Sequence, residues 1–100
     1  MAADHVIVTF TTDSKQLADS LAAEVTETEF HCCAHIEGPI RSVQRWHGRT
    51  RSNEEWRVEI EVDTDGAEGL VDHLNAKHRD EIHHLVVSDK MRPVFDTSDG

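Results

Sequence analysis

The chain has 100 residues, of which 37% are hydrophobic and 30% are charged, and its formal net charge is -10. A chain of this length fits one domain with a modest core, so association with further copies would add stability. The negative charge argues against a general nucleic-acid binder, which needs a positive surface to neutralise phosphates. Without a recognisable basic leader or a long apolar run, we expect a cytoplasmic protein with no membrane contact.

The beginning of the chain predicts a strand followed by a helix. Residues 6–10 form a short β-branched run that is apolar on both faces, which is typical of a strand inside a sheet. Asp13 and Gln16 have the spacing of a helix capping box, and we expect the helix to end near Thr28. The apolar residues between them recur at helical spacing: Leu17, Ala18, Leu21, Ala22 and Val25.

The next region predicts two long strands that form a hairpin. From about residue 30 the apolar pattern has a period of two, and Gly38-Pro39 then interrupts it, because proline has no amide proton to donate to a ladder. We expect a bend or bulge there. The polar stretch 48–53 predicts the hairpin turn. The strand that follows has its apolar residues on one face: Trp56, Val58, Ile60 and Val62.

A second helix is predicted from about Asp65. Past Leu74 the sequence fits either a continued helix or a final strand over residues 82–87. The β-branched ending favours a turn near Arg79 followed by that strand.

The element order strand-helix-strand-strand-helix-strand predicts an α+β fold. It suits a ferredoxin-like βαββαβ sandwich, in which two helices cover one face of an antiparallel sheet. In that topology the first and third strands are central. We assign residues 1–88 to this domain and residues 89–100 to a polar C-terminal tail.

One cluster of histidines lies in the second predicted strand. His31, Cys33 and His35 alternate, so a strand would present them on one face about 6 to 7 Å apart. Imidazole and thiolate are suitable ligands for copper or zinc, and the three residues are therefore a candidate metal site. In the alternative interpretation Cys33 is a small buried hydrophobic residue and the two histidines are partly exposed.

A second cluster follows the second predicted helix. His78, Glu81 and His83 are candidate catalytic residues, because neighbouring imidazoles and carboxylates can be tuned to accept and donate protons. They are also candidate metal ligands, and the alternative is a solvated polar turn. The strand parity predicts that His83 is more exposed to solvent than His84, and His73 is predicted to be an ordinary surface residue of its helix.

Arginines concentrate in the hairpin region. Arg41, Arg45, Arg49 and Arg51 lie in a segment without acidic residues, which is either a patch for an anionic ligand or a solvated hairpin that balances the acidic remainder. Trp46 could form the floor of a ligand cleft, although aromatic residues at inward strand positions more often belong to a core or an interface. Arg41, Arg45 and Trp46 are the candidate ligand-binding residues.

Part of the hairpin region has a pattern of its own, which consists of Cys33, the Gly38-Pro39 kink, Ser42 and the run Trp46-His47-Gly48-Arg49. This pattern resembles the CutA family, the divalent-cation tolerance proteins, whose members have an Ala-Cys strand, a Pro-Gly kink and a Ser-x-x-x-Trp-x-Gly-Lys hairpin. By element order and spacing the likeness extends over about residues 6–87.

The resemblance implies a homotrimer in which the long strands of neighbouring subunits pair. The clefts between subunits would bind a divalent transition metal, copper or zinc, or a small-molecule ligand. Three departures stand out. The kink has the reverse order, the family's His-Pro-Tyr-Glu-x-Pro motif is represented only by His78 and Glu81, and a polar tail replaces an aromatic C-terminal helix.

These departures support an alternative function. A divergent family member could be a small enzyme recruited to a biosynthetic pathway, with His78, Glu81 and His83 moving protons in the same cleft. A regulatory trimer that docks onto another protein is a third possibility.

Overall fold

The computed structural model describes residues 5–27 and 33–89, which form six elements in the order βαββαβ. The strands are β1 (His5–Thr12), β2 (Cys33–Trp46), β3 (Arg49–Asp63) and β4 (His83–Asp89), and the helices are α1 (Lys15–Thr26) and α2 (Thr64–His78). The sheet order is β2-β3-β1-β4, and all neighbouring strands are antiparallel. The predicted ferredoxin-like sandwich is therefore confirmed, and β1 and β3 are its central strands.

The core lies between both helices and one face of the sheet. The register places Val8 opposite Ile60 and Phe10 opposite Val58, and all four side chains are fully buried. Burying a side chain of this size contributes about 1.5–3 kcal/mol, so this layer supplies the main stabilisation of the domain. The helices contribute Ala18, Leu21, Val25, Leu70 and Leu74 to the same core. Among the described residues, no helix has the length and apolar character needed to cross a membrane.

The start of α1 differs from the predicted capping box. Ser14 is the N-cap, and its hydroxyl oxygen accepts a hydrogen bond from the Leu17 backbone N–H at 3.0 Å. Ser14 has an extended backbone, with φ -143° and ψ 148°, as an N-cap residue requires. The prediction of a cap at Asp13 with Gln16 was therefore wrong by one residue. The predicted helix end, Thr28, lies outside the described residues.

The hairpin turn is much shorter than the predicted turn over residues 48–53. His47 and Gly48 form it alone, with φ values of 50° and 78°. Two central residues with positive φ define a type I′ turn, whose twist matches that of the paired strands. Residues 49–53 belong to β3, and the pairing begins directly at Trp46 opposite Arg49. The turn was predicted to be too long because residues 49–53 are exposed strand residues, and their polar composition resembles that of a loop.

The expected irregularity at Gly38-Pro39 is confirmed. The register between β2 and β3 shifts between Glu37 and Ile40, and the Gly38-Pro39 peptide bond is cis. Pairing of β3 with β1 ends at Trp56, whereas its pairing with β2 continues to the turn. Residues 40–55 therefore form a two-stranded projection beyond the central sheet, which we call the arm. Each of its strands is roughly 23 Å long at about 3.3 Å per residue.

The chain turns after α2, as expected. The helix ends at His78, the Glu81 N–H donates to the His78 carbonyl oxygen at 2.9 Å, and β4 begins at His83. The strand prediction is thus confirmed to within about two residues. His83 and His84 are both exposed where the pairing with β1 is irregular and His84 has a φ of 58°. That His83 is the more exposed of the two stays a prediction. The boundary between domain and tail stays a prediction.

Candidate functional site

A cluster of histidines and carboxylates joins the two helices. Glu24, near the end of α1, lies against His73 and His78 of α2. One Glu24 carboxylate oxygen lies 2.5 Å from His73 Nε2 and 3.0 Å from His78 Nε2. On the other side of the His78 ring, Nδ1 lies 2.6 Å from an oxygen of Glu81. An ionised carboxylate only accepts hydrogen bonds, so contacts of both His78 ring nitrogens with ionised carboxylates require a proton on each nitrogen.

This arrangement changes the acidity of two of its members. Burial alone would lower the pKa of His78, but hydrogen bonds and charge attraction from Glu81 and Glu24 outweigh it and raise that pKa above its ordinary value. The hydrogen bond from His78 lowers the pKa of the Glu24 carboxyl, with burial opposing and His73 reinforcing the shift. Both shifts favour a carboxylate on Glu24 and an imidazolium on His78.

Half of this cluster was not predicted. His78 and Glu81 are candidate residues from the sequence, and they are in direct contact. The prediction that His73 is an ordinary surface residue was wrong, because its side chain is only 21% exposed and contacts Glu24. His73 directly precedes the buried Leu74, so it lies at the edge of the apolar stripe and can reach the neighbouring helix. No sequence pattern indicated Glu24, because its role depends on how the helices pack.

The third candidate catalytic residue lies elsewhere. His83 Nε2 is 3.5 Å from a carboxylate oxygen of Asp13. It lines a depression of ≈ 480 Å³ at the corner between the arm and the ends of β1 and β4. We call this the corner depression, and its lining comprises Asp13, Gln44, Asn53, Glu55, His83 and His84. One chain therefore pairs His78 with Glu81 and places His83 at another surface, and their catalytic roles stay predictions.

Two of the three predicted metal ligands lie in the described part of β2. Cys33 is opposite Glu61 and His35 is opposite Glu59, on the sheet face away from the helices. Both side chains are exposed, and Cys33 is a free thiol. The alternative in which Cys33 is buried was therefore wrong. His31 lies outside the described residues, so the complete metal site stays a prediction.

The three candidate ligand-binding residues all lie on the arm. Arg41 and Arg45 share one face of β2, whereas Trp46 is on the other, because side chains alternate along a strand. The Trp46 ring makes an edge contact with His47, at 4.5 Å between ring centroids. The guanidinium carbon of Arg51 lies 5.7 Å from the centroid of the Trp46 ring. Within one chain the arm does not bring Arg41, Arg45 and Trp46 into one pocket, and their ligand-binding role stays a prediction.

The fold and the arm define a ferredoxin-like protein with an extended β2–β3 hairpin. The family model of the CutA1 divalent ion tolerance protein matches residues 6–92. That match covers most of the chain, and the protein therefore belongs to the CutA1 family, as the hairpin pattern predicted.

Individual relatives are distant. The chain is 25% identical over 81 residues to the chloroplastic CutA protein of Arabidopsis thaliana, a match over 81% of this chain and 44% of that protein. The chain thus spans less than half the length of this relative. The CutA1 structure from Ehrlichia chaffeensis has a TM-score of 0.79 at 19% identity and covers 92% of this chain and 86% of that one. CutA from Synechococcus elongatus in complex with Bis-Tris has a TM-score of 0.75 at 21% identity, with 89% and 83% coverage.

Proposed function

We propose that the chain forms a homotrimer of CutA type that binds a divalent transition metal, copper or zinc, or a small ligand in clefts between its subunits. The arm is the observation that carries this proposal. Val43 and Trp46 on the arm are 61% and 53% exposed, and in the described chain β2 has a strand neighbour on one side only. An exposed strand edge with large apolar side chains is a surface suited to pairing with another chain.

The opposite edge of the sheet supports the same assembly. Val86 and Val87 of β4 are 52% and 49% exposed, and in the described chain β4 also has one strand neighbour. Two different apolar edges on one chain permit a head-to-tail contact, and such contacts generate a closed ring when the rotation between subunits allows it. A ring of three would bury both edges.

The surfaces near the arm suit a cleft that holds a ligand. The corner depression is lined by His83, His84 and Glu55, and Arg41 and Arg45 project from the other face of the arm. The Synechococcus relative was solved in complex with a Bis-Tris molecule, which supports binding of a small polar ligand. For a metal, Cys33 and His35 offer a thiolate and an imidazole on the same exposed face of β2.

Sedimentation equilibrium at micromolar concentration tests the assembly. We expect a mass of three chains for the wild type and of one chain for Val43→Asp, because a charge at the pairing surface opposes its burial. Gln16→Asp adds the same charge at an exposed position on α1 and serves as the matched control. A wild type that sediments as single chains would overturn the trimer.

Calorimetric titration tests the metal in the cleft. Copper and zinc are titrated into tag-free wild type, Cys33→Ala and His35→Ala. We expect each variant to bind fewer metal ions per chain than the wild type does. Equal binding by all three proteins would refute the role of Cys33 and His35.

Two other predictions concern catalysis and cellular location. The enzyme alternative would need His83 to join His78 and Glu81 across a subunit boundary, because one chain keeps them apart. A cytoplasmic location also stays a prediction, since the name of the Arabidopsis relative places that protein in the chloroplast.

A further inference from the structure

The cluster between the helices has the composition of a metal site. Glu24, His73 and His78 each offer one ligand atom, and these three atoms all lie within 4.8 Å of one another. We propose that these residues form a second metal site, within a single chain, for a divalent ion of the zinc class. All three ligands belong to one chain, so this site is independent of the proposed trimer and of the ligands Cys33 and His35.

The donor set favours zinc or a chemically similar ion. Two imidazoles and one carboxylate are a combination found in zinc sites that keep an open position. Ligand atoms around a tetrahedral zinc stand roughly 3.4 Å apart. Here the Glu24 oxygen is 2.5 Å from His73 Nε2 and 3.0 Å from His78 Nε2, so the ligand atoms need only small side-chain movements. A bound ion would replace the proton on His78 Nε2, and that proton would be released to solvent. Three protein ligands leave a fourth position for water or a small anion.

Glu81 supports the site without being one of its metal ligands. Histidine ligands of metals usually donate their second ring N–H to a carboxylate, which fixes the tautomer and the ring orientation. Glu81 already accepts from His78 Nδ1 at 2.6 Å, which leaves Nε2 directed at Glu24. Glu81 is therefore a positioning residue for His78.

The surrounding structure holds the ligands in place and leaves them accessible. Val25 and Leu74, the neighbours of Glu24 and His73 in sequence, are fully buried and fix the two helices against the sheet. The ligand side chains are 17–36% exposed, so an ion can enter from solvent. Two carboxylates converge on His78, and the chain as a whole carries a charge of -10. Both features attract a cation.

Competition for Zn²⁺ against a chromophoric chelator tests the site in the full-length, chelator-treated protein. We expect Glu24→Gln and His73→Gln to weaken one Zn²⁺ site per chain by more than about 100-fold, and Glu81→Gln to weaken it by about 10- to 100-fold. Co²⁺ gives a second measurement, since visible absorption of a tetrahedral complex should appear in the wild type and disappear in His73→Gln. Circular dichroism checks that each variant folds. If Glu24→Gln or His73→Gln does not fold, Glu81→Gln still tests the site, because it removes no metal ligand.

Three controls separate this site from other surface groups. Asp72→Asn removes an exposed carboxylate next to His73 and should bind Zn²⁺ as the wild type does. The double variant Cys33→Ser, His35→Gln should retain the site between the helices even if the cleft site is lost. Val43→Asp should retain it as well, whether or not the wild type is a trimer. Wild-type affinity in the folded Glu24→Gln, His73→Gln and Glu81→Gln variants would overturn the proposal, because the cluster would then only bridge the helices.

Discussion

The described residues outside the arm, which we call the body, and the arm differ in how much apolar surface they bury. In the body, β1, β3 and the two helices share a continuous core in which Phe10 and Leu70 are fully buried. On the arm, the strands pair with each other, and Val43 and Trp46 remain more than half exposed. The body accounts for its own stability. The arm presents apolar surface that gains from burial against another chain.

The largest expected effect comes from removing a core side chain of the body. Phe10→Ala should lower the free energy of unfolding by about 3–5 kcal/mol, because the fully buried ring leaves a cavity that its neighbours fill only in part. Val43→Ala on the arm should cost less than about 0.5 kcal/mol in dilute protein. Urea unfolding at low and high protein concentration checks both values. Equal losses for the two variants would contradict the division into body and arm.

The junction between body and arm is the next most sensitive place. A Cβ atom added at Gly38 would lie 2.4 Å from Cδ1 of the Trp56 side chain. Trp56 packs against the core and cannot move away easily, so Gly38→Ala should cost about 1–3 kcal/mol. Urea unfolding measures the loss.

A double-mutant cycle provides the control for Gly38. Truncating Trp56 to Ala removes the atoms that the new methyl group would meet. The cost of Gly38→Ala should therefore be much smaller in the Trp56→Ala background than in the wild type. An unchanged cost would show that the ring is not its source.

Within the body, the bridge between the helices should depend on pH in chelator-treated protein. The raised pKa of His78 means that its stabilisation is complete below its ordinary pKa of 6.5 and is lost as the pH rises through the folded value. The lowered pKa of Glu24 means that its stabilisation is present above 4.5 and is lost as the pH falls through the folded value. Both contributions are complete between these limits.

Comparison of the wild type with His78→Gln over pH 3–9 measures this effect. The stability difference should be largest, about 1 kcal/mol, between roughly pH 4.5 and 6.5, because water screens partly exposed pairs. Glu24→Gln should give a similar profile. A difference that is constant over the whole range would show that neither ionisation contributes.

The order of the first five elements could be read from the sequence because each has a simple pattern, whereas residues 82–87 fitted either a helix or a strand. The alternation in Trp56, Val58, Ile60 and Val62 and the helical spacing of Leu21 and Val25 depend only on local geometry. The turn at His47-Gly48 was missed because polar residues in an exposed strand resemble a loop in composition. Glu24 and His73 were missed for a different reason. They are 49 residues apart, and their contact exists only because two helices pack side by side.

The smallest expected effect tests the arm itself. The Arg51 guanidinium lies over the Trp46 ring, and at an exposed site such a cation–π contact contributes about 0.5–1 kcal/mol at most. If the arm of a single chain is surrounded by solvent, Arg51→Gln should lower the free energy of unfolding of dilute protein by no more than about 1 kcal/mol. Thr50→Ala, next to it on β3, is the control for the arm backbone. A loss from Arg51→Gln that grows with protein concentration would mean that the contact lies in an interface, since binding between copies stabilises the folded chain by mass action.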